Sequence, residues 1–327
     1  MLFFDKWVDV INQWRIMLSM VITYVSHHPF KNHFNLSDQP TCDKIKLFIP
    51  GGCAAVAYQH AMIGHLIANS VHFNFIRDSD RIVFEGYSSG SLCAVAVETL
   101  LNSKKNITSK EFLTKLKLAN DTVFAEFYNN ATFKMKRSQP IAEVVHDIVW
   151  KNVDETTRLD RIKVYATRKN SICRGGVENV EFGSFKTIDC LKDAITGSIH
   201  IPGVISDTKY HKHKKGHCLI DGFVGDVLYE VARMSNPNRI IFLNDTAVNE
   251  MGNLIPTAKY IEGSYFKHIE LDNVNQFSKL RGYLFTSNKE VDSLFEYGKI
   301  DAANNQAKFD KIFEELLNGN KVTGTTN

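Results

Sequence analysis

Short apolar runs alternate with segments of helical period between residues 43 and 317. Runs of alternating or continuous apolar side chains predict strands, whereas apolar positions that recur every three to four residues predict helices. Strands are predicted at 43–50, 81–85, 161–167, 217–223 and 239–243. Helices are predicted at 54–71, 91–101, 108–129, 140–150, 190–197, 290–303 and 306–317. Strands that alternate with helices indicate an α/β fold with a mostly parallel sheet.

Residues 1–25 carry a separate amphipathic pattern, with Trp7 and Trp14 on the apolar face of the predicted helix. The segment predicts either a helix that covers the core or an interfacial helix whose tryptophans lie at headgroup level, in peripheral contact with a membrane. Its apolar run is too short to span a bilayer, and Asp5 and Asp9 are unlike the basic start of a signal peptide. We expect a linker up to residue 42, one main domain at 43–317 and a disordered tail at 318–327.

The charges of the chain nearly balance, with 39 basic and 36 acidic residues and a formal net charge of +3. That balance gives no reason to expect a nucleic-acid partner. The six cysteines show no CxxC spacing and several lie in apolar stretches, which is typical of reduced core cysteines in an intracellular protein. We therefore expect an intracellular protein, cytoplasmic or on the membrane periphery, with no disulfide framework and no metal site.

The segment HKHKKGH at 211–217 is the densest basic cluster of the sequence. Its three histidines are candidate metal ligands under one interpretation. Because they alternate with lysines in a predicted loop, a surface that faces solvent or lipid headgroups is the preferred interpretation.

The pattern GYSSG at 86–90 lies between a predicted strand and a predicted helix. A GxSxG turn in that context is a nucleophile elbow, in which the central serine takes a strained backbone conformation. Gly86 and Gly90 let the strand and the helix pack closely behind Ser88. We expect the Ser88 hydroxyl to project at the carboxyl edge of the sheet, beside the N-terminus of a helix that favours negative charge.

Two further turns carry candidate chemistry. Gly51, Gly52 and Cys53 follow the first predicted strand and open a helix, so their backbone N–H groups can face an anion. This turn precedes the elbow by one βα unit, which places it next to Ser88 if the two strands are neighbours in a parallel sheet. Asp221 and Gly222 form the single Asp-Gly pair of the chain, and an ordinary turn is the alternative interpretation for them.

Taken in order, these segments resemble the patatin-like phospholipase family. LFIPGGCAAVAY resembles its glycine-rich oxyanion segment, GYSSGSL its nucleophile segment and IDGF its catalytic Asp-Gly, while AITGSIHIPGV and EVDSLFEYGKIDA resemble two further segments. The resemblance covers about residues 43 to 305. It implies a three-layer α/β/α sandwich with a mostly parallel central sheet, and an acyl hydrolase of lipids or phospholipids that needs no cofactor.

The resemblance also implies roles for individual residues. Ser88 is the expected nucleophile and Asp221 the base that accepts its proton without a histidine, while Gly51, Gly52 and Cys53 donate N–H groups to the oxyanion. An Asp pKa near 3.9 is low for a base, so we expect burial to raise the pKa of Asp221.

The glycine-rich segment departs from the family pattern. Cys53 stands where the family usually has a third glycine, and Ala55 and Val56 stand where it often has a cation and another glycine. The backbone donors survive these changes but a side-chain donor does not. The loss of one donor weakens oxyanion stabilisation by roughly 3 kcal/mol, so a reduced rate or an altered specificity is expected.

Two alternatives stay open from the sequence. The first is an α/β-hydrolase triad of Ser88, Asp221 and His268, although the HGGG oxyanion motif is absent. The second is a catalytically weak or silent lipid-binding scaffold, which the altered glycine segment allows.

Overall fold

The computed structural model describes residue 18 and residues 44–52, 55–121, 157–169, 177–202, 208–234, 237–244, 258–269 and 288–319. These residues form an α/β fold with one mixed, mostly parallel sheet, as the sequence predicts. The amphipathic pattern of residues 1–25, the helix predicted at 140–150 and the tail from 320 onwards lie outside the described residues. None of the helices that the structure describes has the length and apolar character needed to cross a membrane.

The strands are β1 (Ile45–Ile49), β2 (Ile82–Tyr87), β3 (Ile162–Lys169), β4 (Val177–Phe182), β5 (His211–Lys212), β6 (Cys218–Ile220), β7 (Arg239–Leu243) and β8 (Lys259–Glu262). The helices are α1 (Val56–Asn69), α2 (Phe73–Asp78), α3 (Ser89–Asn102), α4 (Ser109–Ala119), α5 (Ile188–Ser198), α6 (Val227–Arg233), α7 (Tyr265–His268) and α8 (Asn288–Gly319). Two 3₁₀ turns, Leu159–Arg161 and Gly222–Gly225, precede β3 and α6.

The strand order is β5-β6-β3-β2-β1-β7-β8, with β4 paired to β3 outside this path. The neighbours from β3 through β2, β1 and β7 to β8 are parallel, whereas β4 and β6 both run antiparallel to β3. The carboxyl ends of the parallel strands therefore meet at one edge, where ligand sites of open α/β sheets lie.

Apolar side chains cover both faces of the sheet. Ile45 and Leu47 of β1 pack in one core cluster with residues of α1, α3 and α8, whereas Phe48 packs in a second cluster with residues of α6. Because successive strand side chains point to opposite faces, β1 is buried on both faces of the sheet. This burial explains why its sequence is nearly continuous in apolar residues.

The ends of several elements follow from local chemistry. Thr108 and Glu111 form a capping box, in which each side chain accepts a hydrogen bond from the backbone N–H of the other residue, and α4 begins directly after Thr108. The two helices predicted at 290–303 and 306–317 are wrong as separate elements, because α8 runs unbroken from Asn288 to Gly319. Asn305 lies where the break was expected, and its side chain bonds the carbonyls of Glu262 and Asp301 at 2.9 Å each.

Six elements were missed: β4, β5, β8, α2, α6 and α7. β5 lies in the HKHKKGH segment, where a loop was predicted, and it is a strand because it pairs with β6. β4 has the sequence VENVEF, in which acidic residues interrupt the apolar pattern. Its pairing with β3 from Val164↔Phe182 to Lys169↔Val177 stabilises it as a strand, and no local pattern marks that long-range contact.

Candidate active site

Ser88 lies alone between the end of β2 at Tyr87 and the start of α3 at Ser89. Its φ of 51° and ψ of −137° are values that a residue with a side chain rarely adopts. A backbone outlier of this kind costs on the order of 1–3 kcal/mol and persists only where its surroundings hold it in place. Strand and helix are therefore joined at one strained serine that is only 6 % exposed.

Gly86 and Gly90 allow this close junction. A Cβ on Gly86 would lie 2.6 Å from the carbonyl carbon of Gly90, and a Cβ on Gly90 would overlap the carbonyl oxygen of Ile49. Because real Cβ atoms do not approach so closely, a side chain at either position would push α3 away from β1 and β2. The two glycines therefore lie where the elbow pattern places them.

Ser198, the last residue of α5, holds the backbone of Ser88. Its hydroxyl oxygen accepts the Ser88 N–H at 2.8 Å and donates its own proton to the Tyr165 carbonyl at 2.6 Å. Ser198 is fully buried, so neither bond competes with water. Sequence reasoning missed this residue, for which the small-residue run TGS before the Pro-Gly pair was the available signal.

The register of β3 brings Asp221 to the elbow. Tyr165 of β3 pairs with Tyr87 of β2, and two residues further on Thr167 pairs with Ile220 of β6. β4 occupies the opposite side of β3 over the same residues, so β2 and β6 share one side and meet there end to end. The residue after each strand, Ser88 or Asp221, lies at this meeting point.

The Asp221 carboxyl is held by backbone groups. Its Oδ1 accepts the Phe223 N–H at 2.8 Å. The backbone N–H of Asp221 donates to the His200 carbonyl at 2.9 Å. A Cβ on Gly222 would lie 2.9 Å from Cβ of Tyr87, so only glycine lets this turn pack against the end of β2. The side chains of Asp221 and Ser88 interact across that contact.

Burial raises the pKa of Asp221 from 3.8 to about 7, and the interactions with Ser88 and the Phe223 N–H oppose this rise. Among the residues that the structure describes, Oδ2 of Asp221 has no hydrogen-bond partner of normal geometry. The contact with Ser88 is therefore longer or less aligned than a full hydrogen bond, as catalytic contacts often are before substrate binds.

The glycine turn lies directly beside the elbow. A Cβ on Gly51 would be 2.8 Å from Cβ of Ser88, so the Gly51 backbone passes next to the serine. The Gly52 N–H donates to the Ser89 hydroxyl at 2.8 Å and is already engaged. Cys53 lies outside the described residues.

Two buried amides flank this turn and were missed from the sequence. Gln59 of α1 donates from Nε2 to the Pro50 carbonyl at 2.7 Å. Asn244 follows β7 directly, and its Nδ2 would be 2.7 Å from a Cβ on Gly52. A polar residue directly after a buried strand was the signal for Asn244.

His268 belongs to a different cluster. It lies in α7 after β8, three strands away from β2 in the sheet, and its Nε2 is 3.2 Å from Oδ2 of Asp301. Its ring stacks on Tyr297 at 4.5 Å between centroids. In the structure His268 therefore lies against α8 and Tyr58 of α1, and no contact with Asp221 is found among the described residues.

Neither a metal centre nor a disulfide is found in the described ranges. No group of three or more His, Cys, Asp or Glu side chains in those ranges has the arrangement of a metal site. Cys93, Cys190 and Cys218 are free thiols.

Comparison with known proteins leaves the chain without an assigned family. No family model matches the sequence, and neither does any curated protein. Among solved structures, the crystal structure of VipD from Legionella pneumophila is similar with a TM-score of 0.30 and 11 % sequence identity, over 78 % of this chain and 67 % of that chain. At this identity and TM-score the two chains share too little for either a family or a function to be assigned.

Proposed function

We propose that the protein is a lipid acyl hydrolase of the phospholipase A or lipase type, with a Ser88–Asp221 dyad in a patatin-like, three-layer α/β/α domain at residues 43–317. One observation carries this proposal. Ser88, in a strained conformation at the strand–helix junction, contacts a buried carboxyl whose pKa is raised to about 7. A carboxyl with that pKa is suited to general-base chemistry at neutral pH.

In the proposed reaction the Ser88 hydroxyl attacks the ester carbonyl while Asp221 accepts its proton. The tetrahedral intermediate collapses to an acyl-serine, and the protonated Asp221 returns the proton to the departing alcohol. Water then attacks the acyl-serine with Asp221 again as base, which releases the fatty acid and restores Ser88.

Negative charge on the tetrahedral oxygen requires nearby donors. Gly51, Gly52 and Cys53 are the proposed backbone donors, together with the N-terminus of α3. The Gly51 backbone passes beside Ser88, whereas the Gly52 N–H would have to leave the Ser89 hydroxyl before it could serve an oxyanion. Turnover would therefore include a local change at Gly52, or use the remaining donors alone.

This engaged N–H also favours a second candidate, a weak or silent lipid-binding scaffold that retains the dyad without an open oxyanion site. For either function we propose lipid or phospholipid as partner and a peripheral membrane location, with contact through residues 1–25. A panel of phospholipids and acylglycerols with resolved products would identify the head group and the acyl position.

Labelling by a fluorophosphonate probe distinguishes the two candidates, because the probe reacts only with an activated serine. We expect the protein to be labelled, and Ser88→Ala to lose both labelling and hydrolysis of a soluble short-chain ester by at least a hundredfold. The control is Ser109→Ala at the start of α4, which removes a hydroxyl far from the elbow. Hydrolysis by folded Ser88→Ala within tenfold of the parent would exclude the dyad, and an unlabelled parent would favour the scaffold.

A further inference from the structure

The hairpin at 208–217 carries a concentrated positive charge. It contains four lysines and three histidines and no acidic residue. All four lysine residues are exposed, and none has an ion-pair partner among the residues that the structure describes. They are Lys209, Lys212, Lys214 and Lys215.

A buried carboxylate fixes this hairpin to α5. Asp193 contacts Nε2 of His211 at 2.7 Å and Nε2 of His213 at 3.4 Å, and it accepts the Lys214 N–H at 2.8 Å. Its side chain is only 9 % exposed, so the carboxylate faces the two histidines and not the solvent. The lysines therefore extend from a hairpin of fixed conformation.

The hairpin projects on the same edge of the sheet as the serine. β3 pairs with β2 as far as Tyr87 and continues beyond it, and there Arg168 of β3 pairs with Leu219 of β6. The hairpin turn precedes β6, which runs antiparallel to β3, so the turn lies further out beyond the carboxyl edge. Phe223 adds an aromatic side chain that is 39 % exposed, two residues after Asp221.

These features fit a lipid surface better than a nucleic acid. Four of the 39 basic residues of the chain lie in this hairpin, and the rest of the chain, with 35 basic and 36 acidic residues, carries no excess of positive charge. Lysines on flexible stems bind diffuse negative charge, and each basic residue close to an anionic bilayer raises binding about fivefold. An exposed aromatic ring such as Phe223, two residues after Asp221, is typical of groups that enter the headgroup layer.

We propose that the hairpin at 208–217 is a docking surface for anionic lipid bilayers, which holds the membrane against the edge that carries Ser88 and Asp221. The docking deepens the proposed lipid hydrolase function and rests on it for the choice of a membrane as partner. It is separate from contact through residues 1–25, which is apolar in origin and needs no anionic lipid.

Vesicle co-sedimentation tests this docking without any hydrolysis, because the full chain is used as Ser88→Ala. Binding is compared between vesicles of phosphatidylcholine alone and of phosphatidylcholine mixed with phosphatidylserine, at low and high salt. In the test variant all four hairpin lysines are changed to glutamine. The control variant carries the same loss of charge at exposed lysines near the opposite edge of the sheet, which lie after α3, on α4 and on α8. These are Lys105→Gln, Lys110→Gln, Lys308→Gln and Lys311→Gln.

We expect the parent and the control variant to prefer anionic vesicles by at least tenfold, and this preference to weaken at high salt because exposed charges are screened. The hairpin variant is expected to lose at least tenfold of its binding to anionic vesicles while its melting temperature and its binding to phosphatidylcholine stay within error. Equal binding of the hairpin and control variants would overturn the proposal. So would a parent that ignores the vesicles and binds single-stranded RNA through the same lysines.

Discussion

At the scale of single residues, burial gives Asp221 the acidity that its proposed role needs. The side chain is 1 % exposed, and burial is the largest cause of its raised pKa. A carboxyl in water is ionised at neutral pH but is too weak a base to take a serine proton efficiently. With a pKa of about 7 the carboxyl of Asp221 is half ionised at neutral pH, and its ionised form is a stronger base than an aspartate in water.

This acidity predicts a pH profile. The base must be ionised, so kcat/KM for a soluble ester should rise as pH increases through about 7 and be lost below it, where Asp221 carries a proton. Asp221→Asn should lower kcat/KM at least a hundredfold at every pH, while Asp189→Asn on the exposed start of α5 should keep the parent profile. Rates measured from pH 5 to 9 check this.

A profile with its inflection near 4 would contradict the raised pKa of Asp221, because that is the ordinary value of an aspartate in water. An inflection near 7 that disappears in His268→Ala would instead favour the triad.

Ser198 is expected to matter through Ser88. In Ser198→Ala the Ser88 N–H and the Tyr165 carbonyl lose their buried partner, which costs about 1–3 kcal/mol per unsatisfied group. We expect kcat for a soluble ester to fall ten- to a hundredfold with KM within threefold, because the nucleophile is misplaced while the substrate surface is intact. Steady-state kinetics and the rate of fluorophosphonate labelling measure this.

Ser103→Ala is the control for Ser198. It removes the hydroxyl that bonds the Leu100 carbonyl at 2.8 Å, at the far end of α3. A smaller loss of stability and no loss of rate are expected there, because only one part-buried bond is removed. Equal effects of the two variants on kcat would assign Ser198 a purely structural role.

The sequence predicted the strained serine and the acid because each lies in a short pattern in which close backbone packing requires glycine at fixed positions. Gly86 and Gly90 flank Ser88, and Gly222 follows Asp221, at positions where the structure leaves no room for a Cβ. Ser198 and Asn244 have no such pattern. Each contacts residues more than a hundred positions away along the chain, and only the folded structure shows those contacts.

At the scale of elements, a buried arginine ties α2 and α3 to the sheet. The Arg161 guanidinium donates to the carbonyls of Ile76 and Arg77 at 2.7 Å each and lies 5.3 Å from the centre of the Phe84 ring. Its Nε is 3.3 Å from Oε2 of Glu98 on α3. Burial raises the pKa of Glu98 to about 8, although Arg161 opposes the rise.

Arg161 and Glu98 should therefore differ in their effect on stability. Arg161→Met should lower the free energy of unfolding by about 3–5 kcal/mol, because two helix-end carbonyls and Glu98 lose their partner inside the protein. Glu98→Gln should cost less than about 1 kcal/mol at pH 7, since the carboxyl is largely protonated there and the amide keeps an acceptor for Asn102. Urea denaturation compares the variants, and equal losses would contradict this account.

The strands that were predicted correctly include the central, most buried ones. β1, β2, β3 and β7 were found because central strands of a parallel sheet are apolar on both faces. β4 and β8 lie at the margins of the sheet, where each pairs with one described neighbour. Their sequences, VENVEF and KYIE, are half polar and therefore show no clear apolar pattern that predicts a strand. The single helix α8 was divided in prediction at its Asn304–Asn305 pair, whose contact with the end of β8 no local rule anticipates.

At the scale of the whole molecule, the predicted α/β class with a mostly parallel sheet is confirmed. The three-layer patatin-like arrangement and the boundaries at 42 and 317 remain predictions. The sequence placed the glycine turn one βα unit before the elbow, and β1 and β2 are indeed parallel neighbours with Ile49 opposite Gly86. It could not place Asp221, because β6 reaches the elbow only through its register on β3.

That register has a consequence for how the site tolerates change. Ser88 and Asp221 are about 130 residues apart in the chain. The distance between them in the fold is nevertheless set by three residues of β3, from Tyr165 to Thr167, because β2 and β6 pair with its two ends. Backbone hydrogen bonds set that spacing, so side chains along β3 can vary without altering it. One residue inserted between Tyr165 and Thr167 would lengthen it by about 3.3 Å and turn the following side chains to the other face. Long insertions in the loops between β3 and β6 leave it untouched, so those loops are free to lengthen while Ser198 and His200 keep their contacts with Ser88 and Asp221.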